Sequence, residues 1–169
     1  LWVVRAMVEL GRRDRAAALL EMLSPVSHAR TPRDVARYQV EPYVIAADVY
    51  GAKPHVGRGG WTWYTGSSGW MYRVAMESVL GVRLEGGDTL VVKPCIPDGW
   101  PQFRMAWRLP TDGRTRYEIL VRNPTQCSER VVSATVDGLA VDPVEGALRV
   151  PVARDGVVHR VEITLGRVG

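Results

Sequence analysis

Hydrophobic and polar positions change their period once along this chain, near Gly81. Before it, Ala, Leu, Met and Trp recur at helical spacing; after it, Val, Ile and Tyr alternate with Arg, Glu and Thr. The segment 2–10 is a short amphipathic run that stops at Gly11. A second run over 15–23 carries Leu19, Leu20, Met22 and Leu23, with Asp14 as its expected cap and Pro25 closing it. A third over 68–80 takes Ser67 or Ser68 as N-cap and Gly81 as C-cap, and its inner face holds Met71, Val74, Ala75, Ser78 and Val79. The apolar segment 40–50 fits helix, strand or a buried extended stretch.

Beyond Gly81 the period is two. Phe103, Met105 and Trp107 alternate against Arg104 and Arg108. Tyr117, Ile119 and Val121 alternate against Arg116, Glu118 and Arg122, and Val161, Ile163 and Leu165 against Arg160, Glu162 and Thr164. Each run puts one face on a core and the other in water. Gly86-Gly87-Asp88, Asp112-Gly113 and Asp137-Gly138 mark turns between strands. The expected fold is mixed α and β in two parts: helices first, then a small antiparallel β-sandwich. The parts should meet through an apolar interface, with no long helix within 103–165.

Composition narrows the partners. With 169 residues and 46% hydrophobic content, the chain can bury a core of one ordinary domain or two small ones. The net charge of +4 comes mostly from arginines spread along the sequence. Arg12, Arg13 and Arg15 form the nearest thing to a cluster, and a solvated helix face explains them, so no nucleic-acid partner is expected. Cys95 and Cys127 form no close-spaced metal pattern, and a disulfide between them stays open. No apolar run reaches the length of a membrane span, so no direct membrane insertion by this segment is expected. The opening at Leu1, in mid-pattern, reads as a fragment or a processed chain.

Chemistry concentrates in 57–72, GRGGWTWYTGSSGWMY. Trp and Tyr rings offer platforms for the apolar faces of sugars while their polar atoms still find partners. A helix end packed with aromatics is the plain alternative. Thr65-Gly66-Ser67-Ser68 precedes the third helix, where unpaired backbone N–H groups and the helix dipole favour an anion such as phosphate. Ordinary N-capping would use the same residues. His55 and Arg58 lie just before and could donate to that anion. The carboxylates of Glu41 and Asp48 could bind sugar hydroxyls or pair on the surface. No metal signature, nucleotide P-loop, dinucleotide fingerprint or nucleophile elbow occurs. Whether Glu41, Asp48 or Glu77 meet across a sugar is not readable from spacing.

The stretches EPYVIAADVY at 41–50 and HVGRGGWTWYTGSSGWMY at 55–72, with PCIPDGW at 94–100 and VEITLG at 161–166, resemble glycoside hydrolase family 94. This family comprises the inverting glycoside phosphorylases, and the likeness is strongest to the C-terminal end of the cyclic β-1,2-glucan synthases. The resemblance implies that residues 1–81 are the final helices of an (α/α)₆ catalytic barrel and that 82–169 are the terminal β-sandwich. It implies phosphate-binding roles for Thr65, Gly66 and Ser67, with His55 or His28 as a further donor. His28 lies in SPVSH, where relatives commonly carry Asn-Pro-x-Asn-His, so Ser24 and Ser27 depart from the pattern. Glu41 and Tyr43 match the family's Glu-Pro-Tyr segment near the sugar, and Arg58, Trp61 and Trp63 join them as sugar-binding candidates. The family's general acid, an aspartate from upstream in the barrel, has no counterpart here. No catalytic residue, metal or cofactor is therefore expected in this segment, and inorganic phosphate is the co-substrate of the full enzyme.

The activity that the resemblance implies is phosphorolysis or transfer at β-glucosidic linkages. The implied partners are a β-glucan or oligosaccharide, phosphate and the remainder of the parent barrel. The implied setting is a soluble domain on the cytoplasmic side of a membrane-associated bacterial parent. The alternative is a non-catalytic carbohydrate-binding or structural module.

Overall fold

Val4 and Ala16 have almost no solvent exposure, and they fix how the first helices pair. Helix α1 (Trp2–Glu9) turns at Gly11, whose φ of 64° suits glycine, and runs back as α2 (Arg13–Leu23). Val4 and Ala16 meet Val74 and Val79, with Met7, Leu19, Leu20 and Trp70 around them. Asp14 does not cap α2. The cap position is Arg12, without a side-chain hydrogen bond, and Asp14 lies in the first turn, where its charge offsets the helix dipole. The computed structural model describes residues 1–63, 66–111 and 113–167.

Pro25–His28 forms a 3₁₀ turn, and α3 (Pro32–Tyr38) follows. The sequence pattern did not predict α3, although Thr31-Pro32-Arg33-Asp34 carried its signal. The Thr31 hydroxyl accepts from Asp34 N at 3.2 Å and donates to Asp34 Oδ2 at 2.7 Å, and Pro32 opens the helix. The ambiguous stretch 40–50 is extended at its end. Strand β1 (Asp48–Val49) pairs antiparallel with β2 (Gly59–Gly60). Helix α4 (Ser67–Arg73) continues as a π-helical turn, Val74–Val79. Its N-cap is Gly66, at φ 85°, rather than Ser67 or Ser68, and no side chain caps it.

Gly81 does end this helix, at φ 72°. A Cβ there would stand 1.9 Å from the Lys93 carbonyl oxygen, so only glycine lets the chain pass so close. Among the described residues eight strands follow: β3 (Val82–Glu85), β4 (Thr89–Val92), β5 (Gln102–Arg108), β6 (Arg116–Arg122), β7 (Arg130–Val136), β8 (Leu139–Val141), β9 (Leu148–Pro151) and β10 (Val158–Gly166). They form one sheet in the order β5-β6-β10-β7-β8 and another in the order β3-β4-β9. Leu90, Val92 and Ile96 pack against Ile119, Val121, Val161, Ile163 and Leu165. Each large aliphatic side chain so buried contributes roughly 1.5–3 kcal/mol.

One expectation about the sheets fails. The sandwich is not wholly antiparallel, because β10 pairs parallel with β6, from Val158 opposite Arg116 to Thr164 opposite Arg122. The reason is the route of the chain. After β8 it crosses to the other sheet as β9, then returns between β6 and β7 in the direction of β6.

The joint between the two parts is only partly apolar. Leu80 packs into the sandwich core. Beside it, Cys95 N donates to Val79 O at 2.9 Å, Lys93 N donates to Gly81 O at 2.9 Å, and Arg13 pairs with Asp98 at 3.3 Å. Cys95 and Cys127 are both free thiols. Among the described residues no helix is long and apolar enough to cross a membrane.

Candidate functional site

Glycines at 57, 59 and 60 let a narrow hairpin lie flat on the chain that follows α3. A Cβ on Gly59 would stand 2.4 Å from Val40 Cγ2, and one on Gly60 would stand 2.5 Å from Asp48 Oδ1. The hairpin is closed by Ala47 N donating to Trp61 O at 3.1 Å, Tyr50 N to Arg58 O at 2.9 Å and Gly57 N to Tyr50 O at 2.8 Å. With the backbone held this close, the larger residues beyond Gly60 must turn outward.

Trp61 and Trp63 do so with φ of 52° and 62°, and both rings stay about two-thirds exposed, at 68% and 67%. Two tryptophans in the left-handed region are uncommon, and such backbone persists only where the surroundings over-determine it. For Trp63 the surroundings are explicit. Its indole Nε1 donates to Glu41 Oε1 at 3.3 Å, and the Tyr43 ring meets it edge-on with centroids 6.0 Å apart. The structure thus brings together three of the sugar-binding candidates, Glu41, Tyr43 and Trp63. Their aromatic surface faces solvent, and a carboxylate is anchored at its edge. Trp70 is not part of this surface. It is half-buried against the helical core, with its ring 5.1 Å from that of Trp2 and the Arg5 guanidinium over it.

Of the phosphate candidates, Gly66 is exposed in the left-handed conformation, with open space where a Cβ would be, and Ser67 begins α4. Thr65 and the neighbouring Tyr64 lie outside the described residues. His55 is exposed and tilts against Tyr50, with ring centroids 6.0 Å apart. Arg58 is also exposed. His28 is more constrained. Its Nε2 donates to Met22 O at 2.8 Å, and its ring stacks on Tyr38 at 4.6 Å. Tyr38 is nearly buried, and that burial pushes its phenol above its ordinary pKa. Sequence reasoning missed Tyr38 because it missed α3, although the Thr31 cap could have found it.

Glu77 does not join Glu41. It is held by Arg73 through two hydrogen bonds of 3.0 Å, an i,i+4 pair on the helix. Asp48 lies in β1 opposite Gly60. Among the described residues no group of three or more His, Cys, Asp or Glu is placed to hold a metal ion.

Residues 1–81 match the family model described as the glycosyl hydrolase 94 superfamily, catalytic domain. The chain is 45% identical over 132 residues to the cyclic beta-(1,2)-glucan synthase NdvB of Rhizobium meliloti (strain 1021), covering 78% of this chain and 4% of that protein. It is 38% identical over 148 residues to the N,N'-diacetylchitobiose phosphorylase of Vibrio furnissii, covering 85% of this chain and 17% of that protein. It is 30% identical over 126 residues to the solabiose phosphorylase of Paenibacillus borealis, covering 74% of this chain and 15% of that protein. The chain thus spans less than a fifth of the length of each of these relatives. The family model over residues 1–81 and these relatives show that the chain belongs to the glycosyl hydrolase 94 superfamily.

Proposed function

We propose that this chain is the C-terminal part of a carbohydrate-active enzyme of the glycoside phosphorylase or cyclic β-1,2-glucan synthase type. In this reading residues 1–81 supply the last helices of an (α/α)₆ barrel and 82–169 its terminal sandwich. The chain's small share of its relatives' length supports this. So does the helical part itself, which exposes Trp2, Leu10, Met22 and Val26, apolar surface that further helices would cover.

The observation that carries the sugar-binding reading is Trp63, fixed by Glu41 and Tyr43 with its face open. A ring held in place and exposed can stack on a pyranose without first paying for its own ordering. Glu41 has further lone pairs for sugar hydroxyls, and Trp61 and Arg58 flank the same hairpin. The first turn of α4, opened by exposed Gly66, would receive phosphate, with Thr65, Ser67 and His55 or His28 as further donors. Phosphate would attack the anomeric carbon directly while an aspartate elsewhere in the parent protonates the departing oxygen, giving a sugar 1-phosphate of inverted configuration. This chain would contribute positioning and charge stabilisation. The parent would be a membrane-associated bacterial protein with this domain on its cytoplasmic side.

The test is a titration of the intact parent protein with β-1,2-linked glucooligosaccharides, read by tryptophan fluorescence and by phosphorolysis. Trp63→Ala should lower the fluorescence response and raise KM. An unchanged response and KM in a folded variant would remove the hairpin from the sugar site.

A further inference from the structure

The outer face of the five-stranded sheet gathers charge that the linear sequence scatters. Phe103, Met105 and Trp107 pack on the core, so the alternating Arg104 and Arg108 of β5 point outward. Arg116, Glu118, Leu120 and Arg122 of β6 and Arg160 and Glu162 of β10 lie on the same outer face. The register sets Arg108 directly opposite Arg116, Arg104 opposite Leu120 and Arg160 opposite Glu118. Five arginines against two glutamates, with Asp137 bordering Arg160 and Glu162 at one end, leave this face with a net positive charge.

Two features distinguish it from an ordinary solvated sheet face. Glu118 pairs with Arg116, and Glu162 pairs with Arg122 at 3.4 Å, so both glutamates are already engaged. Arg108 stands directly opposite Arg116, whose charge Glu118 already offsets, so Arg104, Arg108 and Arg160 are the arginines of this face that neither glutamate engages. The arginines occupy three neighbouring strands rather than one line, and Arg104, Arg122 and Arg160 border a shallow depression of about 630 Å³.

We propose that this face is a contact surface for a bilayer of acidic phospholipids. Guanidinium groups match phosphate oxygens in pairs. A two-dimensional spread of cations suits a planar array of headgroups better than a single strand of nucleic acid, and the outward positions of β5, β6 and β10 carry no aromatic ring on which bases could stack. A protein partner would need a desolvated aromatic or large apolar anchor, and the outward apolar side chains of β5, β6 and β10 are only Ala106, Leu120 and Val158, scattered among the charges. Contact would be peripheral and salt-sensitive, with no segment inserted.

The experiment is co-sedimentation of this chain with vesicles of phosphatidylcholine, alone or mixed with phosphatidylserine, at about 0.05 and 0.5 M NaCl. Mixed vesicles should bind on the order of a hundredfold better than neutral ones at the lower salt, and the preference should vanish at the higher. Arg104→Gln/Arg108→Gln/Arg160→Gln should lose at least tenfold. Arg12→Gln/Arg15→Gln/Arg33→Gln, equal in charge but on the helices, should lose much less. Thermal melts of both triple variants confirm that they fold. Equal losses in the two variants, or equal binding to neutral vesicles, would overturn the proposal. So would a single-stranded oligonucleotide bound more tightly than the acidic vesicles, which would assign the face to nucleic acid.

Discussion

The Trp63 indole N–H donates to a Glu41 carboxylate oxygen at 3.3 Å, joining the Glu41-Pro42-Tyr43 turn to the glycine hairpin twenty-two residues later. If this bond orients the ring for sugar, its loss should weaken binding without unfolding the chain. A hydrogen bond to a charged group is worth roughly 1.5–3 kcal/mol when well shielded, and less at this exposure. Glu41→Ala in the intact parent should therefore weaken oligosaccharide binding by roughly three- to tenfold. Glu41→Gln keeps an acceptor and should lose less. Equal affinity for Glu41→Ala and the wild type would show that the bond does not position the ring.

Two left-handed glycines separate stability from function. Gly81→Ala drives a Cβ to 1.9 Å from Lys93 O at φ 72°, where the backbone of the helix–sheet joint cannot yield. The expected cost is about 3 kcal/mol or more, read as a lower urea midpoint. Gly66→Ala meets nothing within 4 Å and bears only the conformational cost of φ 85°, about 1–2 kcal/mol. A Gly66→Ala variant as unstable as Gly81→Ala would mean that Gly66 is a folding residue first.

Much of this architecture was legible because periodicity reports burial. The runs that end at Glu9, Leu23 and Val79 lie within a few residues of expectation, as do β5, β6 and β10. Helix α3 was not read, because only Tyr38 among its residues is buried and an apolar stripe had nothing to form on. The parallel pairing of β6 and β10 was not legible either, since alternation gives the face of a strand but not its neighbour. At the candidate site, the aromatic composition of 57–72 pointed to the segment that carries the exposed Trp61 and Trp63. Which tryptophan faces outward depended on glycine contacts at 59 and 60, and those arise from chain folded elsewhere.

His159 gives the sandwich a pH dependence. It stands opposite Tyr117, on the core side of β10, and its side chain is 14% exposed. Nδ1 lies 2.7 Å from Asp137 Oδ2 and Nε2 lies 3.3 Å from Asp155 Oδ1, and the ring stacks on Tyr117 at 5.0 Å. The hydrogen bond to Asp137 is the main cause that raises the His159 pKa; burial opposes it, and Asp155 adds to the rise. Asp137 is lowered chiefly by His159, and Asp155 chiefly by its bond from the Val157 backbone N–H. The histidine's stabilising contribution is complete below its unfolded value of about 6.5 and is lost as pH rises through the raised folded value. The carboxylates contribute above about 3.9, and that contribution is lost as pH falls through their lowered values. Thermal midpoints should therefore fall on both sides of that window, and His159→Gln should flatten the alkaline limb. An alkaline limb identical in His159→Gln and wild type would refute the assignment.

The isolated chain should not catalyse phosphorolysis. In the proposed reading the family's aspartate acid lies upstream in the parent barrel, and general acid catalysis alone is worth roughly 10²–10⁴-fold. Purified chain incubated with β-1,2-glucan and phosphate should form no enzyme-dependent glucose 1-phosphate. Formation at the rate of a complete phosphorylase would mean that an acid lies within these residues.

Thr65 carries the sharpest prediction about phosphate. It lies outside the described residues, so the expectation rests on its sequence position before exposed Gly66 and the first turn of α4, and on the family likeness. The N–H groups of that turn lack intrahelical acceptors, and a hydroxyl beside them would complete an anion cradle. Thr65→Val keeps the branched shape and removes the donor. At roughly 1.5–3 kcal/mol for a bond to a charged partner, phosphorolysis in the intact parent should fall by about ten- to a hundredfold. The fall should appear in the dependence of initial rate on phosphate, while sugar affinity and the thermal midpoint stay near wild type. The same assay on His28→Ala and His55→Ala discriminates the two histidines. His28 is fastened to Met22 O and Tyr38, so its removal should also lower the melting temperature. His55→Ala should change phosphate kinetics alone if it is the donor. Unchanged phosphate dependence in folded Thr65→Val would take the anion away from this helix start.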